Sequence, residues 1–399
     1  MPLSISNFKR RLRLPTVFFR RPSREEQIHG GPPLEFIRPI PEIPWRGITV
    51  GVVLVVVAAV TAWELYCRSI GYGPTLNDNE DLWTSRRRAV RPESLVIVGD
   101  SRPLFDLDLD ELEHGFGKRP IQLALAGSSA YPVLADLAND ESFHGTIICS
   151  FVPALFLAPP GTPPMDTGEK AVHRFHNQTL AQRASEYLSV PLEEHLVFLK
   201  QEDLTLSIYL GKLRLRNRPG ALVPPQLPPY FQTVDRERRT RMWERCADPN
   251  GPLARRIQQI WLPLFTPPPP PSYIPKQVFM AEMKKAIGQR FEDVAAAVHK
   301  FQQRGGKIAF VRFPSSGGLK QLEEHDTPRA NTWDPLLKMT SAPGIYYSDY
   351  ADLSGFKCPE WSHLTAGDSV EFTRRLIPHL REKLHSSVAD RSDAPKPTL

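Results

Sequence analysis

The chain is 399 residues long, with 50 Lys and Arg against 44 Asp and Glu and a formal net charge of +6. That length accommodates one folded domain of roughly 250–300 residues plus extensions, and the 41% hydrophobic and 24% charged shares describe a mostly globular protein. The basic excess does not mark a nucleic-acid binder: it is concentrated in Lys9, Arg10, Arg11, Arg13, Arg20, Arg21 and Arg24, with no nucleic-acid motif beside it.

In chain order, residues 1–46 form this basic arm, which is expected to be disordered and to attract anionic headgroups. The run from Gly47 to Leu65 is apolar except for Glu64 at its far end. At about 1.5 Å per residue it approaches the hydrocarbon thickness of a bilayer, so a transmembrane helix is expected over 47–67. Trp45 and Arg46 at one end, and Trp63, Tyr66 and Arg68 at the other, are residues that favour the membrane interface. A buried core helix is opposed by the lack of any polar face. A cleavable signal is opposed by the long preceding arm. Basic residues before the helix and Asp78, Glu80 and Asp81 after it predict a single-pass protein of the inner or plasma membrane, N-terminus cytosolic, with everything beyond about residue 68 extracytoplasmic.

After a linker over 68–91, short apolar runs alternate with helical stretches, the pattern of an α/β domain over 92–385. Ser94–Val98, Ile121–Leu125, Thr146–Phe151, Lys307–Phe313 and Gly344–Tyr347 read as five strands of a mainly parallel sheet. Their continuous apolar character suits strands covered on both faces, a three-layer α/β/α sandwich. Helices are expected around Leu109–Glu113 and over Ala130–Ala138, Val278–Phe301, Ala330–Met339 and Ala366–Leu384. The clearest is Val278–Phe301, where Met283, Ile287, Phe291, Val294, Val298 and Phe301 recur every three or four residues before Gly305-Gly306 stops the pattern.

Residues 154–275 interrupt this rhythm as an insertion, with a helical stretch around Thr179–Leu215 and prolines ending in Pro267–Pro271. The tail over 386–399 is expected to be disordered. Cys246 and Cys358 are the one cysteine pair to consider for a disulfide, since Cys67 sits at the membrane boundary and Cys149 inside a strand.

Two short segments carry chemistry. Gly99-Asp100-Ser101-Arg102 follows the first strand and precedes a helix, which puts Ser101 at the carboxyl end of the sheet beside backbone N–H groups that can hold an oxyanion. Alone, those four residues read equally as a capped turn. Near the other end, Glu360-Trp361-Ser362-His363 places a carboxylate three residues before a histidine, as a serine nucleophile's base and its orienting acid require.

Together these segments resemble the SGNH, or GDSL-like, hydrolase superfamily. Gly99-Asp100-Ser101-Arg102 stands as the first block, Gly127 in Leu125-Ala126-Gly127-Ser128-Ser129 as the second, and Glu360-x-x-His363 as the last. The resemblance implies Ser101 as nucleophile, His363 as base, Glu360 as its carboxylate, and the Ser101 and Gly127 backbone N–H groups as an oxyanion hole. It departs from the family in having Glu360 where aspartate is usual. It also has Cys149-Ser150-Phe151-Val152-Pro153 where an asparagine donor is usual, with Asn139-Asp140 before the strand instead and Ser150 as the substitute to examine.

The membrane-anchored form is similar to proteins that modify cell-envelope polymers, including those of alginate O-acetylation and of D-alanyl transfer to teichoic acids. This implies an ester hydrolase or O-acyltransferase with no cofactor, an acyl ester or glycan substrate, and a membrane-bound acyl donor protein as partner. A catalytically inactive binding or assembly component with the same fold is the alternative.

Arg102, Arg312 and Arg329 lie near strand ends and are secondary expectations for binding a substrate carboxylate or phosphate. His173-x-x-His176 has metal-ligand spacing but no acidic or cysteine partners at suggestive positions, so no metal site is expected. Asn177-Gln178-Thr179 would accept a glycan only in a eukaryotic secretory setting.

Overall fold

The computed structural model of the chain describes residues 43–200, 204, 205, 208, 227, 228, 230–266, 270 and 272–392. The basic arm, much of 201–226, most of Pro267–Pro271 and the last residues of the tail lie outside the described residues. The chain divides into two units, residues 1–62 and 63–399.

The described part of the first unit is mainly the body of helix α1, Trp45–Ser69, which runs on into the second. Its core is Val-rich, a composition of modest helix propensity in water. In hydrocarbon, a helix satisfies every backbone hydrogen bond internally, so such a sequence is helical there. Among the described residues, α1 is the one helix long and apolar enough to cross a membrane, and its apolar stretch is not buried against protein.

The second unit contains, in order, α2 Glu80–Arg88, β1 Leu95–Val98, α3 Ser101–Asp106, α4 Leu109–Phe116, β2 Ile121–Gln122, α5 Tyr131–Asn139 and β3 Thr146–Ser150. The insertion follows with α6 Pro153–Phe156, α7 Pro163–Asn177, α8 Leu180–Glu193, β4 Gln232–Val234, β5 Thr240–Met242 and α9 Pro252–Phe265. The chain then completes the sheet with α10 Lys276–Gln303, β6 Lys307–Arg312, α11 Gly317–Asp326, α12 Arg329–Thr340, β7 Gly344–Tyr346 and α13 Ala366–Ser392.

Five strands form a parallel sheet in the order β2-β1-β3-β6-β7, flanked by helices as expected of an α/β domain. Strand β2 is shorter than expected. Even so, Leu123 N–H donates to Ile97 O at 2.8 Å and Leu125 N–H to Gly99 O at 2.9 Å, which keeps this segment beside β1 up to Leu125. The order reverses between β1 and β3, so a crevice opens there at the carboxyl ends, where doubly wound sheets bind ligands.

The two-residue period of the strands sorts their side chains into two cores. Val96, Val98, Ile147, Cys149, Ile308 and Phe310 pack with Leu134 of α5, Val294, Val298 and Phe301 of α10, and Leu336 of α12. Leu95, Ile97, Ile148, Ala309 and Val311 pack instead with Leu109 and Leu112 of α4 and Phe372, Leu376 and Leu380 of α13. Each fully buried Val, Leu, Ile or Phe among them contributes about 1.5–3 kcal/mol. A third cluster joins Leu104 and Phe105 of α3 to Met242 of β5 and to Ile257, Ile260 and Trp261 of α9, so the insertion packs on the helix that follows β1.

The segment expected to be a linker at 68–91 is folded in large part. Asn79 caps α2 by accepting the N–H groups of Asp81 and Leu82, and buried Trp83 donates its indole N–H to Leu123 O at 2.9 Å. Helix α13 continues past the expected end at Leu384 to Ser392, into the segment expected to be disordered.

Candidate active site

The turn after β1 is built around a close approach. A Cβ on Gly99, which has φ 157°, would lie 2.5 Å from Ser150 Cβ and 2.8 Å from Pro103 Cγ, so only glycine fits. Buried Asp100 then caps α3: its carboxylate accepts the Arg102 N–H at 2.8 Å and the Ser150 hydroxyl at 2.8 Å. Ser101 is the first residue of α3, so its N–H is one of the groups a helix leaves without an internal partner.

Ser101 Oγ lies 2.8 Å from His363 Nε2, although 262 positions separate the two residues. On its other side, His363 Nδ1 lies 3.0 Å from Glu360 Oε1. With Nδ1–H donated to this carboxylate, Nε2 is left as the acceptor facing the serine hydroxyl. The Glu360 carboxylate is fully buried and well supplied with donors: Oε1 also accepts the Ser362 N–H at 3.2 Å and the His363 N–H, and Oε2 accepts the Trp261 indole N–H. Phe105 stacks on the imidazole at 4.3 Å between ring centroids, with Trp261 at 5.8 Å and Phe231 at 5.9 Å, an apolar wall that strengthens the polar contacts inside it.

The loop carrying this pair is held in an uncommon conformation. Trp361 has φ 83°, a left-handed value that costs an aromatic residue roughly 1–3 kcal/mol. Its N–H donates to Cys358 O at 3.0 Å and its carbonyl accepts the Ser316 N–H at 2.9 Å. Its ring occupies space that a Cβ on Gly317 would enter, 2.2 Å from the indole nitrogen. One residue beyond the histidine, the Leu364 N–H donates to Asp106 Oδ1 at 2.8 Å. Burial pushes the Asp106 carboxyl well above the usual carboxylate range.

Gly127 sits in a tight turn closed by the Ser128 N–H to Leu125 O at 3.1 Å, at the position where a type II turn needs a left-handed residue, and it has φ 67°. Since Leu125 is still bonded to Gly99, this turn emerges from the sheet alongside the Asp100–Ser101 turn. Among the described residues, the Ser101 and Gly127 N–H groups have no hydrogen-bond acceptor.

Other expected ligands prove to be committed elsewhere. The Ser150 hydroxyl, expected as an oxyanion donor, donates to Asp100; Phe151 and Val152 after it are apolar, and Pro153 has no N–H. Asn139 and Asp140 lie before β3, bonded to Lys300 and Arg87. Arg102 and Arg312, expected to bind a substrate anion, hold a carboxylate of the protein itself. Both are buried and converge on Glu323, Arg102 at 2.5 Å and Arg312 at 2.6 Å, while Ser315 Oγ donates to the same carboxylate. Burial works against the Glu323 charge, but the two guanidiniums outweigh it and hold its carboxyl below the ordinary range. Arg329 is exposed and paired with Asp334 and Asp349, beside a cleft of about 260 Å³ that Arg312, Glu323 and Tyr346 also line.

His176 is bonded to Asp136 at 2.6 Å, and no cluster of potential metal ligands occurs among the described residues. Cys246 and Cys358 are not joined: all four cysteines are free and buried, and burial pushes the Cys246 thiol up to about 12. Sequence reasoning missed Trp261, Phe105, Asp106 and Glu323. Phe105 and Asp106 lie one helical turn beyond Ser101 and were within reach of it, whereas nothing local to Trp261 or Glu323 points to the site. No protein-family model matches the chain, and no curated protein matches its sequence.

Proposed function

We propose that this protein is a serine ester hydrolase or O-acyltransferase of the SGNH type, with its helices and sheet arranged in three layers. The observation that carries the reading is the continuous relay from Ser101 Oγ through His363 to buried Glu360. His363 Nε2 takes the serine proton as Oγ attacks an ester carbonyl, and the Ser101 and Gly127 N–H groups hold the resulting oxyanion. The imidazolium then protonates the departing alkoxide, leaving an acyl-enzyme. Water or a glycan hydroxyl, deprotonated by the same imidazole, attacks the acyl carbon and releases Ser101.

The apolar helix α1 supports a single-pass membrane protein. The charge asymmetry around it favours a cytosolic N-terminus and a catalytic domain outside the cytoplasm, acting on an acylated cell-envelope polysaccharide with a membrane-bound acyl donor. A fluorophosphonate probe tests the chemistry: labelling of the folded chain is expected, abolished by Ser101→Ala and weakened by His363→Ala. One observation favours a second reading, a non-catalytic envelope component. The Ser150 hydroxyl is bonded to Asp100, so the third oxyanion donor is unsupplied, a loss of about 2.7–4 kcal/mol of transition-state stabilisation. Absence of labelling in folded protein would decide for that reading.

A further inference from the structure

Helix α8 is amphipathic in the reverse sense of a soluble surface helix. At 100° per residue, Leu180, Ala184, Tyr187, Leu188, Pro191 and Leu192 fall on one stripe, and all are exposed, Leu180 by 83% and Tyr187 by 81%. The opposite side turns inward, where Val190 packs against Leu76, Leu82 and Val234 and the other side chains are polar. Glu193 is buried and accepts the Asn77 N–H at 2.8 Å. Glu186 is half-buried on the same side, where burial and the neighbouring Glu193 push its carboxyl up to about 7. A contiguous apolar stripe on a helix about 21 Å long marks a surface meant to be covered.

The chain leaving α8 shows what covers it. At His195–Phe198 it is fastened to the last turns of α1: the Arg68 guanidinium donates to His195 O at 2.7 Å, and the Glu64 carboxylate accepts the N–H groups of Val197 at 3.2 Å and Phe198 at 3.1 Å. Cys67 packs against Val197 and Leu204 in the same joint. The stripe thus ends three residues short of a segment bonded to the boundary residues of the apolar helix, where Trp63 and Tyr66 stack at 5.4 Å. Tyr187 within the stripe and exposed Arg183 at its margin are the side chains an interfacial helix presents to headgroups.

We propose that α8 is a membrane-interfacial helix, lying in the bilayer surface with Leu180, Tyr187, Leu188 and Leu192 among the acyl chains, so that the domain is held to the membrane by a second contact beside its anchor. This rests on the reading of α1 as a membrane span. The full chain, reconstituted in phosphatidylcholine vesicles with a minority of anionic lipid, tests both. Leu188→Cys replaces an exposed residue, and the four native cysteines are buried, so a nitrobenzoxadiazole label goes to the new thiol, with the unsubstituted chain as background control. Lipids carrying a doxyl quencher are expected to roughly halve its fluorescence, and aqueous iodide to have little effect. Val55→Cys labelled in the same way reports on α1. Quenching at Val55 without quenching at Leu188 overturns the interfacial helix and leaves the span standing. Quenching at neither removes the span and the inference with it. Disulfide-linked dimers of Leu188→Cys without lipid quenching would assign the stripe to a second copy and also overturn it.

Discussion

The buried Glu360 side chain is held by several donors. The Trp261 indole is the one that arrives from the insertion, and it reaches the oxygen that His363 does not use. Trp261→Phe keeps an aromatic ring against the imidazole and removes that single donor. A hydrogen bond to a charged group contributes about 1.5–3 kcal/mol, so kcat is expected to fall roughly 10–100-fold, with KM nearly unchanged and the circular dichroism spectrum intact. Steady-state kinetics on an ester substrate checks this; an unchanged kcat would remove Trp261 from the relay. Asp106 behaves differently because burial favours its neutral form. Between the unfolded carboxyl pKa near 3.9 and its raised native value, the folded state binds a proton that the unfolded state does not, so this group's contribution to stability declines as pH rises through that interval. Asp106→Asn stays neutral at every pH and keeps an oxygen for the Leu364 N–H. Its melting temperature should equal that of the parent at pH 3 and exceed it at pH 8.

At the scale of elements, one buried carboxylate ties three of them together. Glu323 on α11 accepts from Arg102 on α3 and from Arg312 on β6, and Arg312 also donates to Phe151 O at the end of β3. Glu323→Ala would leave two guanidiniums buried without their partner and is expected to cost about 3–5 kcal/mol. Arg329→Ala, at an exposed pair, is expected to cost under about 1 kcal/mol. Urea unfolding of the two variants checks the contrast, and similar midpoints would mean the cluster is solvated. This cluster also shows why parts of the site were illegible in the sequence. The strands were readable as short apolar runs alternating with helical stretches, whereas their order and register came only with the structure. The arginines read as ligands because they stand near strand ends, but the partner of Arg102 lies 221 positions away. Ser150 misled for the same reason. A hydroxyl at a strand end can turn either way, and here Asp100 claims it.

Across the whole molecule, the relay was legible because its two halves carry their own spacing, Gly99-Asp100-Ser101 and Glu360-x-x-His363, and a parallel sheet brings strand ends together whatever separates them in sequence. The insertion was not, since nothing local in 154–275 shows that Trp261 faces Glu360 or that the chain after α8 grips α1. That grip makes the boundary between the apolar helix and the domain testable. Residues 63–69 belong to the second unit, where Glu64 accepts two backbone N–H groups, Arg68 donates to a carbonyl and Cys67 is buried. A chain lacking residues 1–62 is expected to retain the domain's full stability. Removing 1–69 instead strips those contacts and leaves the Val197 and Phe198 N–H groups unanswered, which should cost about 1–3 kcal/mol. Chemical denaturation of the two truncations distinguishes them. Equal midpoints would mean that the last turns of α1 merely lean on the domain, whereas a lower midpoint for the shorter chain makes the end of the apolar helix a structural part of the domain that follows it.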